Sequence, residues 1–260
     1  MTTRITFHGA LAFDIQGPDR RILVDPFFSA NPVRPVDPDD VPAPDLILVT
    51  HAAPDHYGDA AAIARRTGAP VVCGPDVRLL LLEAGLPQEQ VRGTVWGIVV
   101  EVAGVMVRPV VNMHYSTAVL ASGERVVGQP LAFIFETEPG VRIYHCGDTA
   151  FFDQTLVGEV YQPTVGLIGC STPVELHGWA PGAGRFVTGE MNAEEAARTA
   201  AMLGVRVAIG GHYLVPDDDA RQFVELAPQF DRAGRCQAFA PRMGETIVVD
   251  SERAWLEAAP

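Results

Sequence analysis

Short apolar runs divided by polar, Gly- and Pro-bearing turns set the plan of the chain. Residues 4–15 and 21–25 predict paired strands around the turn Gly17-Pro18-Asp19, an opening hairpin. Residues 31–44, crowded with Pro and Asp, are too rigid and polar for a helix or a central strand and read as a surface loop. A buried strand follows at 45–50, then a tight polar turn, then a helix over 58–67 with Asp59 suited to its first turn.

The same alternation continues along the chain. A strand at 70–73 and a helix at 76–84 lead into β-rich segments over 93–111, broken at Gly97 and Gly104. Strands at 131–136 and 142–145 flank the turn Glu138-Pro139-Gly140, and another strand lies at 166–169. Asn192 with Glu195 three residues on predicts a capped helix over 192–203. A strand at 205–209, a helix at 217–230 and a last strand within 238–249 complete the pattern, which suits a layered α/β fold.

Composition narrows this picture. With 260 residues and 48% hydrophobic content the chain can bury a large core, within the usual range of one α/β domain spanning 1–260. The net charge of −13 argues against a phosphate backbone or an anionic membrane surface as a partner, and no apolar run reaches the roughly 20 residues that span a bilayer. All 19 basic residues are Arg, which carries no functional weight. The four cysteines form no CxxC pair and the N-terminus has no signal-like apolar segment, so a reducing cytoplasm is expected. A small-molecule substrate is the expected partner, and homo-oligomer formation stays open.

The chemistry concentrates in THAAPDHYGD, residues 50–59, at the end of the buried strand 45–50. A strand that stops in a tight turn aims several side chains into one space, and His51, Asp55 and His56 are donors that a borderline divalent metal prefers. His114, Asp148 and His212 each follow a strand in the same way. Gly147 permits a backbone bend beside Asp148. Asp25, before Pro26, reads as a turn cap, and His145 as a structural residue.

With these residues the sequence resembles the metallo-β-lactamase-fold hydrolases, whose loop reads T-H-x-H-x-D-H and which add a His, an Asp and a His from later loops. The resemblance implies a four-layer αββα sandwich. It also implies one metal site from His51, position 53 and His114, a second from Asp55, His56 and His212, and Asp148 between them. Asp55 and Asp148 would be the catalytic carboxylates. The departure is Ala53, which stands where the family carries its second His. Two readings of it remain: an engineered or recent loss of a ligand, and natural specialisation for one metal or for binding alone.

The opening FHG, the DPF turn, the PDHYGD loop and the late GGHY look most similar to the ascorbate-6-phosphate lactonase-like group, although that group's opening His falls on Ala10. The implied cofactor is one or two divalent ions, zinc first, with manganese or iron as alternatives. The implied activity is hydrolysis of a small ester, lactone or amide by a metal-activated hydroxide. A phosphodiesterase of the same fold and a catalytically silent binding protein are the alternatives. The Gly- and Pro-rich stretch 171–190 is expected to form a substrate-facing lid through His177 and Arg185, with Tyr57 as a further substrate contact.

Overall fold

The computed structural model describes residues 1–33, 36–173 and 189–258. The opening segment forms three strands where the sequence suggests two: β1 (Thr3–Phe7), β2 (Phe13–Gln16) and β3 (Arg21–Val24). The break has a backbone cause. Gly9 and Ala10 both take positive φ, 97° and 48°, and turn the chain so that β1 and β2 pair antiparallel before β2 pairs with β3.

Parallel strands β4 (Leu46–Val49), β5 (Val71–Cys73) and β6 (Val91–Gly93) extend this sheet. The middle of the chain supplies β7 (Val100–Val102), β8 (Val105–Val110), β9 (Ser116–Val119), β10 (Arg125–Gly128), β11 (Ala132–Glu138) and β12 (Val141–His145). The last strands are β13 (Val165–Gly169), β14 (Val207–Gly211), β15 (Gln237–Phe239), β16 (Thr246–Val249) and β17 (Ala254–Leu256). The first sheet runs β17-β16-β1-β2-β3-β4-β5-β6 and the second β15-β14-β13-β12-β11-β8-β7, while β9 and β10 make a separate ribbon.

Among the described residues six α-helices flank the strands: α1 (Pro54–Tyr57), α2 (Ala60–Thr67), α3 (Pro75–Glu83), α4 (Thr155–Tyr161), α5 (Ala193–Leu203) and α6 (Asp218–Phe230). The two faces of each strand explain the layers. In β4, Leu46 and Leu48 join the core shared with the second sheet, whereas Ile47 and Val49 pack with Ala60, Ile63 and Leu81 of α2 and α3. On the far side α5 and α6 pack against β13 and β14. The order is therefore helix, sheet, sheet, helix, the four-layer sandwich that the resemblance implied. The box predicted at α5 is formed: Asn192 accepts from the Glu195 N–H at 3.0 Å and Glu195 accepts from the Asn192 N–H at 3.1 Å.

Sequence patterning overlooked α4 and the β9–β10 ribbon. Asp59, suited in the sequence to the first turn of the helix, stands at the N-terminal end of α2, and its carboxylate accepts the backbone N–H groups of Phe28 and Ser29 at 2.8 and 2.9 Å, tying the loop after β3 to that helix. Among the described residues no helix is long and apolar enough to cross a membrane.

Gly58 lies where those two segments approach each other. It has φ +37°, and a Cβ there would overlap the Pro26 carbonyl oxygen. Gly58→Ala is expected to cost about 2–4 kcal/mol in urea unfolding, because both backbone conformation and packing resist the methyl group. An unchanged midpoint would contradict this packing.

Candidate metal centre

Every group singled out in the sequence as a ligand lies at one edge of the sandwich, where strands end. β4 delivers His51, Asp55 and His56; β8 leads to His114; β12 to Asp148; and β14 to His212. Ligand sites in parallel sheets form outside the carboxyl ends of strands for this reason. Asp55, His56, Asp148 and His212 have potential donor atoms within 4.8 Å of one another, and so do His51, His114 and Asp148. Asp148 belongs to both groups. Its oxygens lie 3.1 Å from His56 Nε2, 3.3 Å from His212 Nε2 and 3.8 Å from His51 Nε2.

The outward side of each imidazole is held by the protein. Asp25 Oδ2 receives the Thr50 hydroxyl at 2.7 Å and His56 Nδ1 at 2.8 Å, and Asp25 Oδ1 receives the Thr50 N–H at 2.8 Å. With its proton committed to Asp25, the Thr50 hydroxyl can only accept from His51 Nδ1, 3.0 Å away. His212 Nδ1 faces the Ser171 carbonyl at 2.8 Å and His114 Nδ1 the Gly189 carbonyl at 3.2 Å, and a carbonyl can only accept. All four Nδ1 atoms are therefore donors. A neutral ring then carries its lone pair on Nε2, facing the shared space.

The inward atoms lack partners of their own. His51 Nε2, His56 Nε2 and Asp148 Oδ1 are buried with no hydrogen bond of good geometry, although His56 and Asp148 stand at ion-pair distance. Among the described residues, Asp25, Asp55 and Asp148 form ion pairs only with histidines. Burial opposes charge on His56, yet Asp148, Asp55 and Asp25 outweigh it and hold its pKa well above the ordinary value. Burial and Asp148 act in the same opposed way on His212, whose pKa rises to about 9. Burial first, then the charge on His56, drives His51 well below its usual range. Without a metal, protons on His56 and His212 balance the carboxylates. This donor set, with orphaned inward atoms and excess negative charge, fits a divalent cation.

Backbone geometry around the centre is unusual in three places. Asp25, Ala10 and His212 have φ of 47°, 48° and 64°, in the left-handed region that costs a non-glycine residue energy. Ala10 accepts the His212 N–H through its carbonyl and donates to Tyr213 O at 2.9 Å. Its methyl group sits in an apolar cluster with Ala12 and Phe27. Gly147 takes φ +59° to turn Asp148 inward, as expected from the sequence.

A cavity of 840 Å³ opens on this centre, lined in part by His51, Ala53, Tyr57 and His114. Tyr57, expected from the sequence to be a substrate contact, is among the residues that line this cavity. Ala53 shares the cavity with His51 and His114, and its carbonyl accepts the His56 and Tyr57 N–H groups. His177 and Arg185 lie outside the described residues. His145 is structural, its Nε2 2.9 Å from the Leu11 carbonyl. Sequence reasoning missed the part Asp25 plays as the orienter of His56 and, through Thr50, of His51. The available signal was an Asp and a Thr at the ends of adjacent buried strands, the Thr directly preceding a His.

Known proteins resemble this chain over most of its length. A family model described as a beta-lactamase superfamily domain matches residues 20–213. A UPF0173 metal-dependent hydrolase of Nitratidesulfovibrio vulgaris is 33% identical over 259 residues, covering 96% of this chain and 97% of its own. Another, of Rubrobacter xylanophilus, is 36% identical over 214 residues, 81% of each chain. The structure of Igni18, a metallo hydrolase of Ignicoccus hospitalis, superposes with a TM-score of 0.74 at 24% identity, covering 96% of this chain and 99% of that one.

Asp25→Asn tests the orienting network. It keeps the shape of the side chain but removes the negative charge behind His56, and divalent-metal affinity should fall about 10–100-fold. Calorimetric titration with zinc checks this, and an affinity equal to the parent would show that Asp25 does not tune the centre.

Proposed function

Because the chain belongs to the beta-lactamase superfamily and its relatives are metal-dependent hydrolases, we propose that it hydrolyses a small ester, lactone or amide at the centre built around Asp148. The observation that carries this reading is the set of inward Nε2 atoms and carboxylates converging beside a cavity of 840 Å³. Asp55, His56, Asp148 and His212 would hold one ion, and His51, His114 and Asp148 a second. Zinc suits this nitrogen-rich set best, while its carboxylates also accommodate manganese or iron.

A bound divalent ion supplies Lewis acidity, which makes water a stronger acid near neutral pH and polarises a substrate oxygen. The chain's own groups prepare that chemistry. Asp25 and Thr50 fix the rings of His56 and His51, so ligand geometry is set before substrate arrives. Asp148 belongs to both ligand sets, so its carboxylate would serve either ion. Tyr57 and Tyr115 border the cavity, and burial pushes both phenols above their usual pKa. They keep their protons at neutral pH and can donate hydrogen bonds to a substrate carbonyl. Apolar side chains on the walls displace water from around the bond to be cut.

The charge of −13 favours a small substrate over a nucleic acid. A panel of lactones, carboxylic esters, thioesters and phosphodiesters, assayed with zinc or manganese, should show turnover of the carboxylic compounds. His212→Ala should lose most bound metal and about 100-fold or more of that activity. Turnover confined to phosphodiesters would replace this substrate class, and full activity in His212→Ala would remove the centre from the reaction.

Position 53 gives a separate test of a lost ligand. We read Ala53 as the site of a missing imidazole beside His51 and His114. Ala53→His should then raise tightly bound metal from about one ion towards about two per chain and increase hydrolysis. Unchanged stoichiometry with equal or lower activity would favour a pocket adapted to alanine.

A further inference from the structure

The β9–β10 ribbon has two unlike faces. Pairing sets Arg125 opposite Val119 and Val127 opposite Thr117, so these four side chains share one face. The other face carries Ser116 and the buried Ala118 towards α3. Ser116 accepts the Ala52 N–H at 3.0 Å and donates its hydroxyl proton to the buried Asp76, while a Cβ at Gly128 would overlap that carboxylate. The ribbon is thereby fastened both to the metal loop and to α3. Its free face becomes a wall of the cavity that holds His51 and His114.

Among the described residues that wall presents one cation, Arg125, to an apolar space. Leu80, Val119, Val127, Tyr57 and Tyr115 supply much of the remaining surface. The other charged side chain among the described lining residues, Asp59, is committed to the N–H groups of Phe28 and Ser29. The Arg125 side chain makes no ion pair or hydrogen bond with any described residue. Arg4, Arg21, Arg142, Arg198 and Arg221 pair with acids, whereas the Arg125 guanidinium, on a cavity wall in a chain of net charge −13, is available to a ligand.

We infer that Arg125 selects substrates with an apolar body and a single carboxylate remote from the bond that is cut. The apolar walls take the body, the guanidinium pairs with the carboxylate, and the reactive carbonyl lies at the His51 and His114 end. Among the described residues Arg125 is the one cation on the cavity wall, and it matches one negative charge while leaving a dianion undercompensated in a strongly acidic protein. The inference rests on the hydrolase reading above and adds the substrate class to it.

The test uses the full chain as purified and the non-hydrolysable probes 6-phenoxyhexanoate, its neutral amide and 6-phenoxyhexyl phosphate, measured by calorimetry. The carboxylate should bind about tenfold more tightly than the amide. Arg125→Ala should erase that preference and Arg125→Lys keep part of it, without risk to the fold because the side chain is exposed. A preference that survives Arg125→Ala overturns the inference, as it would if the carboxylate sat on the metal. Tighter binding of the phosphate overturns the choice of carboxylate.

Turnover of monophenyl adipate and methyl phenyl adipate, with zinc or manganese added, separates this inference from the hydrolase reading. A preference for the half-ester that disappears in Arg125→Ala supports both. Hydrolysis of both esters without charge preference leaves the hydrolase and removes the anion pocket. Arg125-dependent binding with no hydrolysis of either ester keeps the pocket and contradicts the hydrolase.

Discussion

The fixed orientation of four imidazoles around one buried carboxylate is the constraint on which the rest of the structure depends. Each Nδ1 faces an acceptor supplied by the protein, so each Nε2 faces Asp148 or its neighbours. Three buried carboxylates without an Arg partner would be expensive in a centre holding no cation, since an unpaired charge removed from water costs several kcal/mol. Protonated His56 and His212 meet part of that cost in the metal-free chain, and a divalent ion meets it more fully.

The fold supplies this arrangement by bringing strand ends from both sheets to one edge. The first sheet contributes Asp25, Thr50, His51 and the Asp55–His56 turn, and the second contributes Asp148, Ser171 and His212. Buried strands give these groups rigid origins, which loops alone would not. The positive φ values of Asp25, Ala10 and His212 are tolerated because hydrogen bonds and packing over-determine the surrounding backbone. Local stability is thus exchanged for position in the residues that orient the centre.

Much of the fold was legible because strand and helix periods are local properties. The strand at 46–49, the capped α5 and the strand-end placement of His114, Asp148 and His212 all follow from patterns a few residues long. The opening segment was misread because nothing in His8-Gly9-Ala10-Leu11-Ala12 marks an alanine at φ 48°, a conformation imposed by the contact with His212 and Tyr213. The β9–β10 ribbon escaped notice because its stability comes from Ser116 and Asp76, forty residues apart. The orienting part of Asp25 was hidden for the same reason, since its partners arrive from the next strand of the sheet.

The central claim is that this centre is a metal site and not a structural cluster of buried acids and imidazoles. Its most direct test is the metal content of the protein purified without chelator and dialysed against zinc, by elemental analysis referred to chain concentration. The account expects about one to two ions per chain that survive dialysis against metal-free buffer. Protein that retains no zinc, manganese or iron under any loading condition, yet remains folded, would contradict it.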